Sequence, residues 1–402
     1  LNDFPRFLAY LIESRQVDTV VITGCTIGYQ LLPYLRAVAP QAAFVDLSHV
    51  EEPHWLNGGH PRFGVGYQDA LDLNVVTTRH LAQWMGERGA DSTRIRVMHT
   101  GVRPPRSNRS ETKREAVRAR FGIDRDVPVV VFAGRICEQK RPAVLAEVLK
   151  EARDIGLRFH ALVIGDGELR PMFEGLVARY DLRPCVKTLG SLPHDQWLEI
   201  LLGADILLIP SRYEGISVAL LEAMAAGVVP IVARVGGQEE IVGEAEGYLI
   251  PHGSGEIQEY VRALERLVTD PTDREAKSRR CQTLIDSEFS WRKTIDDFER
   301  ILAEAHDMAR HPRCQFTLPL GRELASVALE NRRLGDALAW RWDSDSPPQG
   351  QAPRVWPSLV FRIASMMQRS RCGRYLLGNP KIRAVGRRFV AWLRGVRSLS
   401  AR

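Results

Sequence analysis

The stretch SRYEGISVALLEAMAAGVVPIVARVGG (211–237) holds two carboxylates, Glu214 and Glu222, eight residues apart. The first stands just before a glycine, the second inside the helix that the apolar pattern predicts over 217–226. Eight helical positions span roughly 12 Å. Acid pairs that cleave a glycosidic bond sit about 5 to 9.5 Å apart, so this spacing is too wide for that chemistry. It suits a ligand with two hydroxylated ends and, between them, a group drawn to a helix N-terminus. Free N–H groups and a partial positive charge make phosphate the natural occupant there. Gly215 permits close backbone approach, and the Ser217 hydroxyl with the amides of Ile216, Ser217 and Val218 can donate. A sugar, a diphosphate and a ribose in that order make a nucleotide sugar.

Phosphate also needs counter-charge. FAGRICEQKRP (132–142) places Arg135 and Lys140 on a loop at the carboxyl end of a strand, where both could reach one diphosphate. Cys137, in the same loop, has no histidine near it in sequence and is not expected to act as a nucleophile. An NAD-dependent oxidoreductase is excluded, because no strand is followed by G-x-G-x-x-G with an acid about 20 residues on.

The elements that must position these residues follow from periodicity. Short β-branched runs at 128–134, 159–165, 186–190, 205–210 and 228–233 alternate with helical patterns at about 141–155, 168–180, 194–203, 217–226 and 256–269. This is the rhythm of β-α units on a doubly wound parallel sheet, whose ligands lie at the carboxyl ends of the strands. A smaller set of strand patterns precedes it, at 19–24, 42–48, 73–78 and 95–101, and the charged, proline-bearing stretch 101–115 reads as a linker. The expected organisation is therefore 1–105, 106–305 and a tail, 306–402, in which the β-α rhythm stops.

At this point the residues resemble the retaining glycosyltransferases of family 4. EGISVALLEAMAAG is similar to that family's E-x7-E element and GRICEQK to its G-R-x4-K loop. VIGDGELR (163–170), LGSLPHDQ (189–196), ADILLIPSRYEG (204–215) and VGGQEEIV (235–242) follow in the family's order. The resemblance is strong over 127–250 and looser over 19–126 and 251–305. It implies the GT-B fold, two Rossmann-like domains facing a cleft, and transfer of a sugar from a nucleotide-diphosphate donor to a hydroxyl acceptor with retention. It implies that Glu214 contacts the donor sugar or the reacting face and Glu222 the ribose. Arg135 and Lys140 would hold the diphosphate, and His49, in VDLSHVEEPHW, would stand near the donor sugar. Gly134, Gly165 and Gly215 would line the donor pocket with Ile216, Ser217 and Val218, while Gly236 and Gly237 would shape the loop beside the base. Nothing here makes a case for a DxD-type metal site, and neither a metal nor another cofactor is expected.

Several residues keep two readings. His49 is a lone histidine and could be structural. Asp166 and Glu168 are turn and helix-start residues or ligand contacts, and Glu240 is a helix-start charge or a ligand contact. Thr100 stands where the family has Asn before Gly-Val, and the family's glycine-rich loop near the first strand is not visible. The alternative function is accordingly a catalytically inactive nucleotide-sugar-binding scaffold within a larger membrane-associated protein.

Composition bounds the rest. The 402 residues are 45% hydrophobic and 26% charged, as in a globular protein of two domains. The chain opens LNDFPRFLAY without Met or a signal-like segment, which suggests a fragment with a truncated first domain. Six scattered cysteines without metal spacing suit a reducing cytoplasm. The net charge of +6 is uneven: from His311 onward there are 17 Lys and Arg against 5 Asp and Glu, and before it 38 against 44. Nucleic acid is therefore not an expected partner of the main site. The basic pattern over 380–399 groups Ile382, Val385, Phe389, Trp392, Leu393 and Val396 on one helical face. It is either a peripheral contact with anionic lipid at the inner face of the cell membrane or a solvated or partner-packed tail.

Overall fold

The computed structural model describes residues 4–53, 55, 58–103 and 110–342, with the side chains of 333–342 excepted. The basic pattern at 380–399 lies outside the described residues. In chain order the elements are α1 Phe4–Ser14, β1 Thr19–Ile22, α2 Thr26–Val38, β2 Ala43–Ser48, α3 His60–Gly66, β3 Leu73–Val76, α4 Arg79–Glu87, β4 Ile95–Val97 and α5 Glu111–Phe121. They continue with β5 Val129–Ala133, α6 Pro142–Asp154, β6 His160–Ile164, α7 Arg170–Arg179, β7 Val186–Gly190, α8 His194–Gly203, β8 Ile206–Ile209, α9 Val218–Ala225, β9 Val229–Ala233 and β10 Tyr248–Ile250. Four helices close the described chain: α10 Glu256–Thr269, α11 Pro271–Glu288, α12 Trp291–Ala309 and α13 Leu318–Trp342. None of the described helices is long and apolar enough to cross a membrane.

Two parallel sheets result, one of order β1-β2-β3-β4 and one of order β10-β9-β8-β5-β6-β7. Each central strand of the second sheet is buried from end to end, which is why β5 (VVVFA) and β8 (ILLI) read as continuous apolar runs rather than alternating ones. The chain runs outward through β5, β6 and β7, then returns to lay β8 against the other side of β5. The order reverses between β5 and β8, and the crevice at their carboxyl ends is the natural ligand position of such a sheet.

Three elements differ from the sequence reading. The linker at 101–115 gives way at Glu111 to α5, capped by the Ser110 hydroxyl. The inward residue of α5 is Arg118, which pairs with Asp205 at 2.5 Å and donates to the carbonyls of Arg125 and Val127. Strand β10, three residues long, extends the sheet beyond β9. Finally, α12 leaves the second sheet and lies on the first: Ile301, Ala305 and Ala309 pack with Val45, Leu73, Val75 and Met98. Where α12 begins, Val102 N donates to Phe289 O at 2.9 Å and Trp291 N to Val102 O at 3.1 Å. The first turns of α13 also pack on the first lobe, through Ala325 and Leu329.

Candidate active site

Strand β5 runs into Gly134, and the loops after β5, β6 and β7 are bound edge to edge. Gly134 N donates to Ile164 O at 3.1 Å, Gly165 N to Gly190 O at 2.9 Å and Ile136 N to Asp166 O at 2.8 Å. Only glycine fits at 165: φ is +134° and a Cβ would stand 1.8 Å from Gly134 O. This binding fixes the floor over which Lys140 extends, its stem lying 3.2 Å from the position a Gly134 Cβ would take.

Lys140 Nζ meets Glu214 Oε1 at 2.5 Å, with side chains 13% and 8% exposed. The Gln139 amide ties the same two loops, donating to Tyr213 O at 3.0 Å, while Arg212 N donates to Gln139 O at 2.7 Å. The loops after β5 and β8 are thus joined at the point where the strand order reverses. Arg135 is exposed and has no ion pair among the described residues. The Tyr213 phenol, which the sequence reading did not single out, stands among these charges. Burial pushes its pKa up, with Glu52 adding to the shift and Arg135 opposing it.

Gly215 is one of the places where the lobes touch. A Cβ there would stand 2.1 Å from His49 O, and its own carbonyl accepts from Gly237 N at 2.9 Å. Gly236 is as close to Glu214 O on the other side. His49 is thereby brought to the first residue of the site. Its Nε2 lies 3.2 Å from Thr23 Oγ1, its carbonyl accepts from the Thr77 hydroxyl, and partial burial holds the imidazole pKa below its ordinary value. Beyond Gly215, Ile216 packs against the core and Ser217 precedes α9 without its hydroxyl capping the helix. Val218 is 49% exposed, so the start of α9 opens to solvent, with the positive end of its dipole facing outward.

Glu222 is also buried, and both of its oxygens have partners. Oε2 accepts from Trp197 Nε1 at 2.8 Å and Oε1 lies 2.6 Å from His194 Nε2. Neither partner was singled out as a site residue, although His194 lies in LGSLPHDQ, since they stand 25 and 28 residues away on another helix.

Of the residues with two readings, Asp166 is a turn residue, accepting from Gly167 N at 2.8 Å and pairing with Arg170. Glu240 is a helix-start charge, but for a helix of the other lobe. Its carboxylate accepts from Arg79 N at 3.0 Å and His80 N at 2.9 Å, at the start of α4, and lies 2.9 Å from His99 Nε2. Burial alone would raise its pKa, yet the hydrogen bonds from His99, Arg79 and His80 hold it below the ordinary carboxylate value. His80 in turn pairs with Glu51 at 2.6 Å, which raises the imidazole pKa.

This arrangement meets a match in known sequences, since the family described as Glycosyl transferases group 1 aligns to residues 113–282. The likeness to that family is thus confined to the segment that carries most of the second lobe. The 2-deoxystreptamine glucosyltransferase of Streptomyces kanamyceticus is 29% identical over 240 residues, covering 58% of this chain and 62% of that protein. The D-inositol 3-phosphate glycosyltransferase of Rhodococcus opacus is 31% identical over 253 residues, covering 61% and 54%. The chain thus spans little more than half the length of these curated relatives. Among solved structures, Anabaena HepE in complex with UDP superposes with a TM-score of 0.65 at 17% identity, over 74% of this chain and 81% of that one. Sucrose-phosphate synthase from Thermosynechococcus elongatus gives 0.62 at 19% identity, over 76% and 77%. At such identities the likeness shows the fold alone, and the fold is GT-B: two parallel-sheet lobes, the matched segment forming most of the second.

Proposed function

We propose that the protein is a glycosyltransferase that moves a sugar from a nucleotide-diphosphate sugar to a hydroxyl acceptor with retention of configuration. The observation that carries this reading is the junction of Lys140 and Glu214 at the strand-order reversal, beside the open start of α9. A diphosphate there would share Lys140 with Glu214, receive Arg135 from the neighbouring loop and face the amides that begin α9. The two cations would stabilise the charge that grows on the departing nucleotide, without a dedicated metal being required of the protein. Glu214 would face the donor sugar with His49 close by, and Glu222 would hold the ribose. A hydroxyl acceptor, whether sugar, lipid-linked sugar or polysaccharide, would approach from the first lobe, and its attack on the face the nucleotide leaves would retain the anomeric configuration.

Thermal unfolding with UDP-, GDP- and ADP-sugars tests donor binding, because a specific ligand raises stability by mass action. Transfer to a panel of hydroxyl acceptors, with the product anomer read by NMR, tests the reaction. Binding of a donor with neither transfer nor hydrolysis would favour the inactive scaffold. Failure to bind any of the three classes would overturn both readings.

A further inference from the structure

His194 and Trp197 lie three residues apart on α8, hence on one face and about one turn from each other. That face bears on α9, and the two side chains take opposite oxygens of Glu222. They differ in freedom. Trp197 is 6% exposed and belongs to the core between the second sheet and its helices, so its indole leaves the carboxylate only if that core opens. The His194 side chain is 64% exposed and begins α8, after Pro193, where no side chain caps the helix. It can turn into solvent without disturbing anything packed beneath it. Glu222 itself is nearly buried, and of its two partners His194 is the one exposed enough to give way to a nucleoside hydroxyl that approaches the carboxylate.

We propose that His194 gates the nucleoside end of the donor site, covering Oε1 of Glu222 until a ribose hydroxyl takes that oxygen, while Trp197 holds Oε2 fixed as a positioning residue. This rests on the donor reading above. Its signature is a sign that structural damage does not produce: removing His194 strengthens binding. Giving up one exposed hydrogen bond is worth about threefold to tenfold in affinity.

The test is isothermal titration of the full chain with UDP, GDP and ADP. For the nucleoside diphosphate that wild type binds best, His194→Ala is expected to bind about threefold to tenfold more tightly. His194→Gln, which keeps an N–H donor, should stay near wild type. Trp197→Phe should bind more weakly, and in a Glu222→Leu background, which leaves His194 no acceptor, His194→Ala should have no effect. A His194→Ala protein that binds equally or more weakly overturns the gate, and Trp197→Phe binding at wild-type strength overturns the positioning role. Should Trp197→Phe fail to fold, as read by thermal unfolding, the two His194 variants decide the gate alone. If wild type binds none of the three nucleotides, the donor reading itself fails and the gate falls with it, an outcome seen before any variant is compared.

Discussion

At the scale of single residues, Lys140 has two roles that ordinary mutagenesis would confound. Removing it deprives the proposed leaving group of charge, at a cost of about 10²- to 10³-fold in turnover. It also strands the Glu214 carboxylate, and breaking a buried pair costs about 3–5 kcal/mol of stability. The pair of variants Lys140→Met and Lys140→Met/Glu214→Gln separates them. The single variant should lose both melting temperature and activity, whereas the double should regain the melting temperature and remain inactive. Recovery of transfer in the double would show that Lys140 serves only to neutralise Glu214. That Lys140 and Glu214 stand near each other was to be expected, because both lie on loops at strand ends of one sheet, but their ion pair was not foreseen. Nor were the partners of Glu222, because a carboxylate on a helix gives no sign of which helix lies over it.

At the scale of elements, the loops after β5 and β6 work as one piece, and Gly165 is what lets them. Gly165→Ala would force a Cβ into Gly134 O at a backbone angle side chains rarely take, and should cost about 2–3 kcal/mol in urea unfolding. An alanine accepted without loss would mean the loops are not held together there. The contact of Glu240 with α4 is the other cross-element tie. Glu240→Ala removes the acceptor for two backbone N–H groups and should lower stability by about 1–2 kcal/mol. Strands β5, β6, β8 and β9 were readable as apolar runs of ordinary length, and helices α6 and α10 from apolar residues at helical spacing between them. Strand β10 was too short to show a pattern. Helix α5 read as linker because its one fully inward side chain is an arginine, so the usual apolar stripe is absent.

At the scale of the whole molecule, one buried and one half-buried carboxylate give stability opposite dependences on pH. Asp46 in β2 is enclosed, and burial lifts its pKa from 3.8 to about 6 although Tyr29, Asn74 and Ser48 donate to it. A raised carboxyl pKa means stability that is full below 3.8 and declines as pH rises through about 6. Asp46→Asn should abolish a decline of about 3 kcal/mol across that window, read from urea midpoints at several pH values. Glu240 acts in the reverse sense, since its pKa is depressed. Its contribution is present above the unfolded value of 4.5 and is lost as pH falls through the folded one, and Glu240→Gln should remove that acid loss. Neither effect was foreseeable from sequence, because each depends on partners from distant segments. The same holds for α12, whose amphipathic pattern says that it lies on a sheet but not on which one. Its position makes the order of synthesis matter. The four strands of the first sheet leave the ribosome some two hundred residues before Ile301, Ala305 and Ala309, which cover Val45 and Val75. The lobe begun first is therefore finished last, and a nascent chain halted anywhere before α12 exposes an apolar face that invites chaperones or aggregation.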